Sequence, residues 1–376
     1  MRKLVPILFL AVLLTGCTAT QDNDFEAKAT TLQTMVDSIG IPCMDLSLHD
    51  NGKTFSTVRI QSDIPEDQRQ FTGTVRDDQM FQAASLSKVV FSYIVMKMVD
   101  SGEIDLDTPV CNYTDIDRFE DKEMASKLTP RMVLSHTSGL YNWADSPSSD
   151  SWPTSTITFH FPVDSCYGYS GEAFAFLQRA VEQIRGASLN DIATKEVFEP
   201  FDMPLSYYTW RPEYDSLVVC GFNVKGENRG RRETLRANCA YTLRTSSKEY
   251  MNFLVHAVMN GEGLTPETYK EWLTPRSHAI RYADEVRECD KDMYWCLGMG
   301  VKVSFDEAGN PVPQQYWHWG DNGSFKALYV VDINRSMAMD YFTNSAKGHW
   351  FCDDVCELFM GDSYGIQDWI DERDDD

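Results

Sequence analysis

Apolar positions Leu32, Met35, Val36 and Ile39 recur at helical spacing across residues 25–39, and Gly40 follows as a stop. The rhythm then changes to that of strands: Cys43–His49 and Thr54–Ile60 face each other across the turn Asp50-Asn51-Gly52. Residues Ser85–Val99 are apolar nearly all round, which predicts a helix in the middle of the protein, closed by Gly102. Thr129-Pro130 reads as a helix start, and the Ser-, Asp- and Pro-rich stretch Trp143–Ser155 as a long loop. Ser246 and Glu249 form a predicted capping box ahead of the apolar face Phe253, Leu254, Ala257 and Val258. Ala327–Ile333 and Met337–Phe342 read as two strands joined at Asn334-Arg335, and Asp371–Asp376 as a solvated acidic tail. Strands at both ends with helices between predict one α+β unit whose antiparallel sheet uses both chain ends. No internal repeat or dividing linker is evident.

Composition narrows the function. The 376 residues are 43 % hydrophobic and 12 % aromatic, enough apolar material for a full core. With 34 Lys+Arg against 57 Asp+Glu the formal charge is -23, which argues against nucleic acid as a partner. Against that background Lys225, Arg229, Arg231, Arg232 and Arg236 stand out. They read as an exposed loop, the alternative being capture of a substrate carboxylate or an anionic envelope polymer.

The N-terminus carries a basic Met1-Arg2-Lys3 and an apolar run Leu4–Leu14, too short to span a bilayer and of signal-peptide form. Leu14-Thr15-Gly16-Cys17 resembles a bacterial lipobox, in which cleavage precedes the cysteine and its sulfur takes lipid; an ordinary secretory signal is the alternative. The expectation is therefore a signal peptide over 1–16, an anchor and tether over 17–30, and a folded domain over 25–370. Thr18, where an aspartate would suggest inner-membrane retention, favours an outer-membrane lipoprotein of the cell envelope. Nine further cysteines remain. Cys352 and Cys356, four apart, suggest packing or a disulfide, because no histidine pair or second close cysteine pair completes a metal site. No H-E-x-x-H is present, and neither a metal nor a cofactor is implied.

The candidate nucleophile is Ser85 in Ser85-Leu86-Ser87-Lys88. One helical turn separates Ser85 from Lys88, so both share a face at a helix start. A lysine buried beneath a serine can act as its base, because desolvation favours the neutral amine. Downstream lie Tyr169-Ser170-Gly171 and His318-Trp319-Gly320. With these elements in this order the chain resembles the serine β-lactamase and penicillin-recognising hydrolase superfamily, nearest its class C β-lactamase, D-alanyl-D-alanine carboxypeptidase and esterase branch. The likeness extends to Phe81–Lys88, Gly102–Val110, Leu134–Leu140 and His318–Phe325, and covers most of the chain.

The resemblance implies a β-lactamase/transpeptidase-like fold with an inserted helical subdomain. It also implies an acyl-enzyme at Ser85, with Lys88 beside it and Tyr169 sharing in proton transfer. His318 would line the cleft from an edge strand, and the backbone N–H groups of Ser85 and Asp321 would form the oxyanion hole. Gly171, Trp319, Gly320 and Asp321 would border the substrate. Two departures stand out. The family's Y-x-N asparagine is Gly171 here, which offers no side-chain donor for an amide. Trp319 replaces a small hydroxyl residue in K/H-x-G, with bulk that narrows the cleft unless strand alternation turns it away. His136 reads as structural, ending a short helix. The expectation is a serine hydrolase acting on an ester or a D-amino-acid-containing peptide or amide, including peptidoglycan-derived peptides. The alternative is a catalytically weak or inactive binder or sensor of the envelope. Ser85/Lys88 as a plain helix start, Tyr169 as a core aromatic and His318 as a packed strand residue are the corresponding bland readings.

Overall fold

The structure is a computed structural model and describes residues 10–62, 78–281 and 285–371, with side chains from Gln21 to Ile370. Residues 1–9 of the expected signal peptide, the Cys17 side chain and residues 372–376 of the acidic tail lie outside what is described. A long helix α1 (Leu10–Ile39) leads into the hairpin β1 (Cys43–Asp50) and β2 (Lys53–Ile60). Gly40 ends α1 with φ +76°, the left-handed conformation that glycine adopts without a Cβ penalty. Helix α2 (Ser87–Asp100) follows, and α3 (Gly171–Arg185) comes after a run of short helices and loops. The chain then returns to strands: β3 (Ser277–His278), β4 (Met293–Trp295), β5 (Gly300–Phe305), β6 (Pro311–Asp321), β7 (Lys326–Asp332) and β8 (Met337–Thr343). Helices α4 (Cys352–Met360) and α5 (Ile366–Asp371) close the described chain. None of the described helices is long and apolar enough to cross a membrane.

The eight strands form one antiparallel sheet in the order β2-β1-β8-β7-β6-β5-β4-β3, so the N-terminal hairpin docks on the last strand. Met44 pairs with Thr343 and Asp50 with Met337. Both faces are covered. One carries the large core, with Tyr316, Ala327, Tyr329 and Val331 against α2 and the inserted helices. The other packs Trp317, Leu328, Val330, Met339 and Tyr341 against α1, α4 and α5. Every residue of β7 is buried, as a strand covered on both faces requires.

As its all-round apolarity predicts, α2 runs through the middle of the larger core. Cys352 and Cys356 lie one turn apart on α4, both buried in the second core, which is the packing role. Half of the expected capping box forms. Ser246 Oγ accepts from the Glu249 N–H at 3.3 Å, but the Glu249 carboxylate accepts from Leu205 N–H (3.0 Å) and the Ser206 hydroxyl (2.6 Å) instead of turning back. A second expectation also needs correction. His318 lies on β6, which is interior to the sheet order. The strand is an edge only locally, because pairing with β5 reaches no further than Gly300–Trp317 and leaves His318–Asp321 paired with β7 alone.

Candidate active site

Ser85 sits in the single 3-10 turn Ala84–Leu86 that opens α2. Its predecessor Ala84 has φ +48°, a left-handed conformation that costs a non-glycine residue roughly 1–2 kcal/mol. The surroundings fix it. Ala83 N–H donates to Leu243 O at 2.9 Å, Leu243 N–H donates to Ser87 Oγ at 3.1 Å, and the Tyr250 hydroxyl donates to Leu86 O at 3.1 Å. On the sheet side, a Cβ at Gly320 would lie 2.5 Å from Ala83 O and 3.2 Å from Ala84 Cβ. Only glycine lets β6 approach the nucleophile turn this closely.

Lys88, one turn on, is 1 % exposed. Its Nζ donates to Ser85 Oγ at 3.1 Å and to Ala240 O at 2.8 Å, and lies 4.7 Å from the centre of the Tyr169 ring. Burial brings the amine down to about 7, with the Cys239 thiol opposing. Tyr169 moves the other way, because burial holds its phenol well above 10 even with the Ser85 hydroxyl beside it favouring the ionised form. The phenol is therefore neutral at neutral pH. Its oxygen has no hydrogen bond of good geometry among the described residues.

Tyr169 is held from behind. It precedes Ser170, the N-cap of α3, whose Oγ accepts from Ala173 N–H at 3.1 Å. His136, with φ +56° just after the short helix Pro130–Leu134, accepts the Ser170 N–H on Nδ1 (3.1 Å) and the Gly168 N–H on its backbone oxygen (2.8 Å). Its ring lies 4.3 Å from that of Tyr169. His136 is thus a buried brace for the tyrosine segment, in keeping with the structural role read from sequence. Burial, then the nearby Lys88 and His318, keep it neutral with the proton on Nε2.

His318 is fully buried and has the opposite tautomer. Nδ1–H donates to Trp319 O at 2.6 Å, leaving the Nε2 lone pair without a partner among the described residues. Burial and Lys88 lower it to about 3, against the Trp319 carbonyl, so it is neutral at any working pH. Its ring centre is 6.2 Å from that of Tyr169.

A cavity of about 220 Å³ opens over Ser85, Lys88 and Tyr169. Asp321 and Asn322 border it at the end of β6, while Asn142, Trp143, Ser146–Ser148, Arg232 and Tyr241 close it from two loops. Three residues expected at the substrate border stand back from it. Strand alternation turns Trp319 to the far face, where it packs 5.0 Å from Tyr169 and 5.1 Å from Trp369. Gly320 lies against Ala83. Gly171 is covered, for a Cβ there would meet the Trp143 indole at 2.3 Å. The place of the missing asparagine side chain is filled by an aromatic ring from another loop.

That loop is pinned by Glu172, the residue after Gly171. Its carboxylate accepts from Trp152 Nε1–H (2.7 Å) and Ala144 N–H (3.1 Å) and pairs with Arg118 at 2.9 Å, while the Asn142 amide oxygen accepts the Gly171 N–H at 2.9 Å. Sequence reasoning passed over Asn142, Trp143, Glu172 and Tyr241. The one available signal was Glu172, an acid directly after the tyrosine motif. No group of His, Cys, Asp or Glu among the described residues is arranged to hold a metal ion.

The profile of the beta-lactamase family matches residues 29–353, and the chain belongs to that family. It is 31 % identical over 137 residues to penicillin-binding protein 4 of Amycolatopsis lactamdurans, an alignment spanning 34 % of this chain and 36 % of that protein. The chain therefore matches about a third of the length of that curated relative. Among solved structures, the octameric penicillin-binding protein homologue from Pyrococcus abyssi superposes with a TM-score of 0.72 at 15 % identity, covering 91 % of this chain and 78 % of that one. The D-alanine carboxypeptidase AmpC from Burkholderia cenocepacia gives 0.70 at 14 % identity, covering 91 % and 99 %. At such identities the superpositions establish the β-lactamase/transpeptidase-like fold; with the family membership they support a serine hydrolase in general.

Proposed function

We propose that the protein is a serine hydrolase that forms an acyl-enzyme at Ser85 and acts on an ester or a D-amino-acid-containing peptide or amide. One observation carries this reading: a buried lysine amine, brought down to about 7, stands 3.1 Å from the hydroxyl of a partly exposed serine at the floor of a cleft. A neutral Lys88 takes the Ser85 proton as Oγ attacks the carbonyl. The Ser85 backbone N–H, in the first turn of its helix, is free of an intrahelical acceptor and stabilises the oxyanion together with the Asp321 N–H. Tyr169, held as a neutral phenol, cannot be the resting base; it hands a proton to the leaving group and takes one from the incoming water, and Lys88 returns its proton to Ser85 Oγ as the acyl group leaves. His318 presents only an acceptor and orients this network.

The test is incubation with an activated thioester and with a labelled penicillin, followed by mass spectrometry. Turnover with an adduct on Ser85, lost in Ser85→Ala, is expected for the ester. An adduct that forms and never releases would favour an envelope binder or sensor, and no adduct with either probe would overturn the hydrolase reading. We also propose that Cys17 carries lipid and anchors the protein in the cell envelope, at the outer membrane. Detergent partitioning of the wild type, lost in Cys17→Ser, checks this.

A further inference from the structure

The arginine-rich segment 225–236 has so far had no role. Its cations are not equivalent. Arg231 pairs with Asp215 at 2.8 Å and Arg236 with Asp150 at 3.1 Å. Among the described residues no carboxylate pairs with the guanidinium of Arg232, in a chain carrying a formal charge of -23. Arg232 is also the member of the segment that lines the cavity over Ser85.

Its backbone is tied to the fold, while its charge has no carboxylate partner among the described residues. The Arg232 carbonyl accepts from the buried guanidinium of Arg244, which is 1 % exposed and lies 5.2 Å from the centre of the Trp210 ring. Burial, and to a lesser degree the charge of Arg232, lower Arg244. Asp321, the acid that borders the same cavity, is already paired with Lys326. Beyond Arg232 the cleft continues into a second hollow of about 180 Å³ that shares Pro147, Ser148, Arg232 and Tyr241 with the first. Tyr241 ties this wall together, its hydroxyl donating to Pro147 O at 3.1 Å.

We propose that Arg232 is a substrate-binding residue, and that the loop wall of the cleft is a subsite for a carboxylate carried by an elongated acyl donor, its chain running from Ser85 towards the second hollow. The planar fork of an arginine matches the two oxygens of a carboxylate. The proposal rests on the hydrolase reading for its substrate class.

The experiment uses two thiophenyl esters of the same straight-chain diacid, one with its far carboxylate free and one with it methyl-capped. In the wild type the free acid should have the higher kcat/KM. This preference should fall about tenfold in Arg232→Ala and be kept only in part in Arg232→Lys, which retains the charge but not the fork. An unchanged preference, or an equal fall on both esters, would overturn the proposal. If neither ester is turned over the hydrolase reading fails instead. The subsite is then read by calorimetric binding of the two esters to the Ser85→Ala protein, and equal affinity for both would sink it.

Discussion

The two walls of the cleft are built on opposite principles. On the helix side Ser85, Lys88, Tyr169 and His318 lie in or against the core, and burial sets their protonation: the amine comes down to about 7, the imidazole to about 3, and the phenol goes well above 10. On the loop side Asn142, Trp143 and Arg232 stand on irregular chain, with Asn142 and Trp143 pinned to the first residues of α3, Gly171 and Glu172, and the wall held further by the Glu172–Arg118 pair and by Tyr241. The first wall tunes reactivity through desolvation, which tolerates little change. The second shapes what can enter, and its parts can be altered without unpacking the core.

The largest losses should come from changes on the helix side. Lys88→Ala should lower kcat/KM for an activated ester by about a thousandfold, whereas an active variant would place the base elsewhere. Gly320→Ala comes next. Its methyl cannot fit beside Ala83 O, so activity should drop by about a hundredfold as the Ser85 turn is displaced, with the melting temperature falling too. The pH profile sharpens the same wall. Because the neutral amine is the active form, kcat/KM should fall about tenfold per unit below a midpoint near 7. His318, already neutral there, should add no second limb above pH 5. The smallest effect belongs to the loop wall. Glu172→Gln removes the charge that pairs with Arg118 while keeping the volume, so KM should rise several-fold with kcat nearly unchanged, at a stability cost of about 1–3 kcal/mol. A selective loss of kcat would show that the loop also positions the reacting groups.

What the sequence made legible follows the same division. The helix wall declares itself locally: Ser85 and Lys88 are one turn apart, α2 is apolar all round, and His318 precedes a strongly apolar strand. The hairpin β1–β2 and the pair β7–β8 were readable from alternation and turns. Strands β3 to β5 were not, since two of them have two or three residues and Lys302/Val303 marks a register shift. Pro313 of β6 pairs with Val303 beside that shift, and its missing N–H argues against a strand when read alone. The loop wall was illegible for a different reason. Trp143 and Arg232 line one cavity with Ser85 because interactions between distant segments, among them the Arg118–Glu172 pair and the Tyr241–Pro147 hydrogen bond, draw them together. Gly171 showed that a side chain was missing but not that an indole from another loop fills its place.

The docking of the N-terminal hairpin on β8 also governs when the protein can fold. Cys43 N–H donates to the Asn344 side chain at 2.8 Å across 301 positions of sequence, so β1 waits for its partner until nearly the whole chain has been made. Such non-local pairing slows folding and leaves the early hairpin exposed meanwhile. The Ala84 turn is braced by β6 and by Leu243, so the nucleophile acquires its geometry only after most of the sheet has closed. A chain stopped short of β8 would carry every residue of the candidate site and still lack the frame that makes Ser85 reactive.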